Sequence, residues 1–214
     1  MAERIDLKET VPGYRAPRGR FDLVDIPGLQ YLAVDGHGDP NTSTAYTEAL
    51  TALYPLAYAL RALSAREIGM DYVVPPLEGL WWADDMSAFT TARDKSQWDW
   101  TMMLLVPDGI GSDLVDAAHA RIRSRGSTPA RLDDVRVLAL AEGRCAQTLH
   151  VGSYDDEAPV LERLHDEFLP AHGLRSQGTH HEIYLSDARR VPPDRLRTIL
   201  RQPVAPASTD PTSS

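Results

Sequence analysis

The order strand, helix, strand, strand runs through this chain twice, and that repetition restricts its folding more than any other feature. In the first passage Leu29 to Val34 reads as a strand closed by the turn-forming stretch DGHGDPN. Asn41 to Thr44 supply capping side chains for a long helix. Tyr46, Ala49, Leu50, Leu53, Ala57 and Leu60 recur at helical spacing and give that helix one core-facing stripe. Pro55 lies within it and should kink it, because the ring removes a backbone donor and crowds the turn before. Tyr72 to Ala83 and Trp98 to Val106 read as strands on either side of a polar turn around Asp84 to Ser96.

Gly111-Ser112 opens a further helix with Leu114, Val115, Ala118 and Ile122 on one side. Val135 to Ala141 reads as a strand, and Gly143 marks a turn into a second one, Cys145 to Val151. The earlier order then returns. Cys145 to Val151 leads through GSYDDE into a helix whose stripe is Val160, Leu161, Leu164 and Phe168. Pro159 falls in its first turn, where a missing N–H costs little. Strands at His181 to Leu185 and Thr198 to Arg201 follow. The expected fold class is α+β, with two modules about 28–107 and 135–204 inside a domain spanning 21–204. Each packs a helix on one sheet face, and the two open faces leave a groove, where ligands usually bind. Residues 1–20 read as a loosely docked N-terminal arm whose Arg15, Arg18 and Arg20 make it either a basic arm or a solvated lead-in. Residues 205–214 read as a disordered tail.

Bulk properties narrow the function classes. A net charge of −9 argues against a nucleic-acid partner, because phosphate backbones call for a basic face. It suits cationic ligands, or serves solubility alone. No apolar run reaches the roughly 20 residues of a membrane helix, and the opening MAERIDLKET is too polar for a signal peptide. The single cysteine, Cys145, forms no internal disulfide, which points to a reducing, cytoplasmic setting. Nothing in the chain fixes an oligomeric state.

Strand alternation sorts the candidate site residues. Glu182 shares a face with Tyr184, opposite Ile183 and Leu185, while Glu78, Leu80 and Trp82 share one face and Leu77 and Trp81 the other. EGLWWAD in the first module corresponds to EIYLSD in the second, so the groove is expected to carry Glu78 with Trp82 and Glu182 with Tyr184. Aromatic faces stack flat ligands and attract cations, and a glutamate among them loses hydration and becomes a better base. Trp81, Trp98 and Trp100 either line this groove or fill the core. His180 and His181 point to opposite faces and make a poor metal pair, so no metal site is expected. His37, between two aspartates, reads as a loop-structuring residue. His150 and Tyr154 flank Gly152 and either reach the groove or make structural hydrogen bonds. The chain shows no G-x-S-x-G, H-E-x-x-H, P-loop or paired C-x-x-C.

PLEGLWW (76–82), the W-x-W at Trp98 and Trp100, EGRCAQTLHVGSYDDE (142–157), THHEIYLSDARR (179–190) and TILRQPV (198–204) together resemble the GyrI-like small-molecule-binding proteins. The resemblance covers roughly Leu29 to Val204 and is strongest for the branch without a DNA-binding domain, since no helix-turn-helix segment precedes Leu29. It implies two β-α-β-β (SHS2-type) modules related by pseudo-twofold symmetry, with the cleft between them and Glu182 as its central acid. Relatives bind cationic aromatic dyes, sense drugs, inhibit gyrase, or hydrolyse the strained cyclopropane of DNA-alkylating natural products. The resemblance therefore implies hydrolysis of a planar cyclopropane-bearing compound, or else non-catalytic multidrug binding or sensing, or gyrase inhibition through protein contact. In the hydrolytic reading Trp82 and Tyr184, with Trp81 and Trp98, sandwich the aromatic body. Glu182 deprotonates a water, and Tyr154 hydrogen-bonds the carbonyl that gains charge. No metal or organic cofactor is required.

Overall fold

A computed structural model of the chain describes residues 4–84 and 94–207. Its elements are α1 (Leu7–Thr10), β1 (Asp22–His37), α2 (Thr44–Glu67), β2 (Leu77–Trp82), β3 (Asp99–Val106), α3 (Ser112–Arg123) and β4 (Arg136–Val151). They continue as α4 (Ala158–Glu162), a π turn (Arg163–Phe168), α5 (Leu169–Ala171), β5 (Leu174–Ser176), β6 (His180–Tyr184) and β7 (Arg197–Pro206). The fold is mixed α/β around one large antiparallel sheet of order β4-β1-β3-β2-β6-β7-β5. β4 also pairs with β7, so six strands form a closed circuit of backbone pairings. Each half of the chain lays its strands in the same spatial sequence, β1-β3-β2 and then β4-β7-β6.

Closure gives the sheet an inner and an outer face. Tyr31, Ala33, Leu80, Met103, Leu105, Ile183 and Ile199 form the inner cluster. On the outer face of β1, β3 and β2, residues such as Leu32, Val34, Trp100, Met102 and Leu104 pack against α2 and α3. A smaller cluster of Ala146, Leu164, Leu169, Leu174 and Val204 joins the C-terminal helical segment to β4 and β7. β3 is apolar nearly throughout because both of its faces are covered.

The elements depart from the sequence pattern where turn-forming residues lie inside strands. β1 starts at Asp22 rather than Leu29, since Pro27 and Gly28 fall inside the ladder to β4, flanked by the pairs Ile26↔Gly143 and Gly28↔Ala141. Gly143 has φ +67°, a left-handed backbone, yet β4 runs through it as one strand instead of the expected two. β1 pairs with β4 on both sides of this point, which holds the strand together. α2, by contrast, is the one long helix expected, with Pro55 inside it. β7 extends to Pro206, past the expected start of the tail, and residues 208–214 lie outside the described residues, as does most of the polar turn before β3.

The N-terminal arm is anchored rather than loosely docked. Leu7 and Tyr14 are buried in the inner cluster, with Val11 and Ala16 packed against it. Among the described residues no helix is long and apolar enough to cross a membrane.

Candidate functional site

β6 carries different chemistry on its two faces. His181 and Ile183 point inward and are fully buried, whereas His180, Glu182 and Tyr184 alternate onto the outer face. The Glu182 side chain is 14% exposed, so its carboxylate is neither sealed in the core nor out in bulk solvent. Tyr184 Oη donates to Glu182 Oε2 at 2.8 Å, and Trp81 Nε1 donates to Tyr184 Oη at 2.9 Å. Gly79 lies directly opposite Glu182 on β2. A Cβ there would stand 2.8 Å from Trp81 Nε1 and 3.2 Å from Tyr184 Oη, so the missing side chain makes room for this hydrogen-bonded chain.

Further aromatic rings extend from Tyr184 and Trp81. Tyr154 meets Tyr184 edge-on with centroids 5.7 Å apart, and Trp81 meets Trp98 edge-on at 5.6 Å. Tyr154 is 40% exposed and stands at the rim. Lys95 Nζ lies 5.7 Å from the Trp98 ring centroid and pairs with Asp155 at 3.0 Å, linking the turns before β3 and after β4. Burial pushes the Tyr154 hydroxyl up to about 12, and burial together with Glu182 pushes Tyr184 well above its ordinary range, so both remain protonated donors.

Sequence reasoning missed Glu157. In GSYDDE it reads as one more acidic residue ahead of a helix, where carboxylates are ordinary. The structure buries it to 5% exposure, and its Oε1 has no hydrogen-bond partner. Burial, and after it the interacting Glu182 carboxylate, push the Glu157 carboxyl well above the usual range. Thr198, on β7 opposite Tyr184, lies close enough to temper that rise, but its buried Oγ1 also lacks a hydrogen bond. Both ring nitrogens of His180 are unpartnered as well, with Nε2 3.5 Å from Glu182 Oε1. Glu157, Thr198 and His180 thus each bring a buried polar atom without a hydrogen bond to the neighbourhood of Glu182.

The structure thus brings Glu182, Tyr184, Trp81, Trp98 and Tyr154 together. It separates Glu78 and Trp82 from them, while Trp100 lies directly across from Trp81 on β3 and belongs to the same cluster. Glu78 and Trp82 were expected beside Glu182, but ladder pairing sets Gly79, not Glu78, across from it, and the odd-numbered residues of β2 share its face. Trp82 packs against the inner cluster. Trp100 is fully buried, its ring filling the space left by Gly36 across the strand pair, with its Nε1 bonded to the Gly38 carbonyl at 3.1 Å. His150 shares the outer face with Thr198, and its Nε2 contacts the Ser153 carbonyl at 3.0 Å.

Glu78 instead joins a charged network inside the sheet. It accepts from Tyr14 and lies 2.9 Å from His181 Nε2, while His181 Nδ1 lies 2.9 Å from Glu142. Arg201 donates to Glu142 at 2.9 Å and to the Gly13 carbonyl at 2.9 Å, which ties down the N-terminal arm. Burial alone would raise Glu142, but His181 and Arg201 outweigh it and hold the carboxyl at about 2. Burial likewise opposes the charge on His181, and Glu142 reverses this and raises it.

Among the described residues no group of three or more His, Cys, Asp or Glu is arranged to hold a metal ion. Surface hollows of about 280 Å³ at Asn41–Glu48 and about 160 Å³ between Arg18, His150 and Arg163 do not include Glu182.

A family model described as the GyrI-like small molecule binding domain matches residues 20–205. Comparison with curated proteins finds no match. Among solved structures, an uncharacterized conserved protein from Listeria innocua is 32% identical, with a TM-score of 0.85 over 94% of this chain and 100% of its own. Two further structures from Listeria innocua are each called a hydrolase. One is 31% identical with a TM-score of 0.81, covering 94% of this chain and 100% of its own. The other is 32% identical with a TM-score of 0.83, covering 95% and 100%.

Proposed function

The chain belongs to the GyrI-like small-molecule-binding family, and from that membership we propose that its outer-face site binds planar aromatic, often cationic, compounds and hydrolyses those carrying a strained cyclopropane. The observation that supports this most is the Glu182 carboxylate, held by Tyr184 among Trp81, Trp98 and Tyr154, beside unpartnered buried polar atoms. The hydrolase names of two relatives at 31% and 32% identity favour turnover over binding alone. The repeated spatial order of the strands supports two SHS2-type modules, about 28–107 and 135–204, related by a pseudo-twofold axis. A small molecule, rather than nucleic acid, suits the net charge of −9, and the setting is cytoplasmic, where the role is detoxification of DNA-alkylating agents.

In this mechanism Glu182 takes a proton from a water whose oxygen attacks the cyclopropane CH₂. The ring C–C bond breaks, and its electron pair runs into the conjugated carbonyl, which ends as a phenol once it collects a proton. Tyr154, a donor at the rim, stabilises the oxygen that gains charge. One positioned base contributes on the order of 10²–10⁴-fold, a large share for an electrophile already activated by strain.

Incubation with a duocarmycin-type cyclopropane compound, followed by mass spectrometry of the ring-opened product, tests this. Turnover by the wild type that disappears in Glu182→Gln supports hydrolysis. Tight binding with no product assigns the site to sequestration or sensing instead.

A further inference from the structure

Two carboxyl groups share the proposed site, and the second changes what the site does with charge. Glu157, 5% exposed, donates its N–H to the Tyr154 carbonyl, and the Tyr154 ring packs edge-on against Tyr184, which holds Glu182 on β6, so the two carboxyl groups flank the same pair of phenols. Glu157 Oε1 and Thr198 Oγ1, the latter on a residue 1% exposed, are buried without hydrogen bonds. We propose that the site trades a proton for a cation: Glu157 and Glu182 hold one proton between them until a permanently charged aromatic ligand binds and expels it. This rests on the reading of the outer face as an aromatic-ligand site and adds a ligand rule to it.

The reason is electrostatic. Two ionised carboxylates with little hydration repel each other, and one proton removes that repulsion. A cation seated against the pair does the same, so the proton is no longer needed and leaves for solvent. A neutral ring of the same shape leaves the proton where it is. The other charges facing the pair are few. Lys95 faces it but is already paired with Asp155 at 3.0 Å. His180 approaches Glu182 at 3.5 Å without a hydrogen bond. Tyr46 from α2, the rim phenol Tyr154 and the inner phenol Tyr184 are raised and stay neutral, and Asp187 beyond β6 is bound by Arg189 at 2.9 Å. Glu157 is the group left to carry the exchangeable proton.

Titration calorimetry at neutral pH in two buffers of different ionisation enthalpy reads the exchange on the whole chain. N-methylquinolinium is the cationic probe, and 1-methylnaphthalene is its uncharged counterpart. Net proton release on binding N-methylquinolinium, none with 1-methylnaphthalene, and an N-methylquinolinium affinity that rises with pH by at most tenfold per unit are expected, the tenfold limit being that of one linked proton. Glu157→Gln should bind the cation with no proton release and a flat pH profile. Binding of the cation by the wild type without proton release would overturn the exchange while leaving the aromatic site intact. Release that persists in Glu157→Gln would assign the proton to another group, His180 first, and overturn it equally. Failure of both probes to bind would reject the site itself, and the exchange with it. The wild-type measurement stands alone should the variant fold poorly.

Discussion

Trp81 Nε1 donates to Tyr184 Oη at 2.9 Å across the β2–β6 pair, and this bond leaves the Tyr184 hydroxyl free to donate only to Glu182. An indole on one half of the chain therefore sets the orientation of a carboxylate on the other. Tyr184→Phe removes both bonds and leaves a buried indole N–H unpaired. A loss of about 1–3 kcal/mol in denaturant unfolding is expected, together with weaker binding of aromatic ligands.

Gly36 is held to a different constraint. A Cβ there would stand 2.0 Å from the Trp100 ring, which is fully buried. Gly36→Ala should cost about 1–3 kcal/mol through overpacking and lower the melting temperature.

Much of this arrangement was legible in the sequence, and the exceptions share a cause. Alternation along β6 correctly set Glu182 and Tyr184 on one face, because a strand needs only its own pattern for that. Which face of β2 meets that face is a matter of register between distant strands. The two motifs EGLWWAD and EIYLSD align as text, yet Gly79, not Glu78, pairs with Glu182. Glu157 was invisible for another reason: its burial comes from tertiary packing around a turn, and no spacing rule encodes that. Pro27, Gly28 and Gly143 read as turn residues, but pairing along β1 and β4 carries the strands through them.

Glu157 also makes stability depend on pH in a definite direction. Its folded carboxyl is raised above the ordinary value of 4.5, so the folded state holds a proton that the unfolded chain releases. That contribution is full below pH 4.5 and is lost as pH rises through the folded value, by up to about 1.4 kcal/mol per pH unit. Glu157→Gln should unfold with a flatter pH dependence above 4.5 and be more stable than wild type at alkaline pH. Urea denaturation across pH 5 to 9 checks this; parallel wild-type and variant curves would speak against it.

Glu142 works in the opposite sense. Held at about 2, its carboxylate adds stability above its ordinary 4.5 that disappears as the pH falls toward about 2. Glu142→Gln removes the charge facing both His181 and Arg201 and turns one of its two acceptor oxygens into a donor in a buried setting, for an expected loss of about 3–5 kcal/mol at neutral pH. The acid limb of the stability profile should become shallower in the same variant. Because Arg201 also binds the Gly13 carbonyl, protease sensitivity of the N-terminal arm should rise.

The most direct measurement is a crystal structure of the protein soaked with an aromatic cation such as N-methylquinolinium. The ring should rest among Trp98, Tyr154 and Tyr184 with its charge beside the Glu182 carboxylate. Density on the inner face of the sheet, or in either hollow away from Glu182, would contradict the assignment of this face as the binding site.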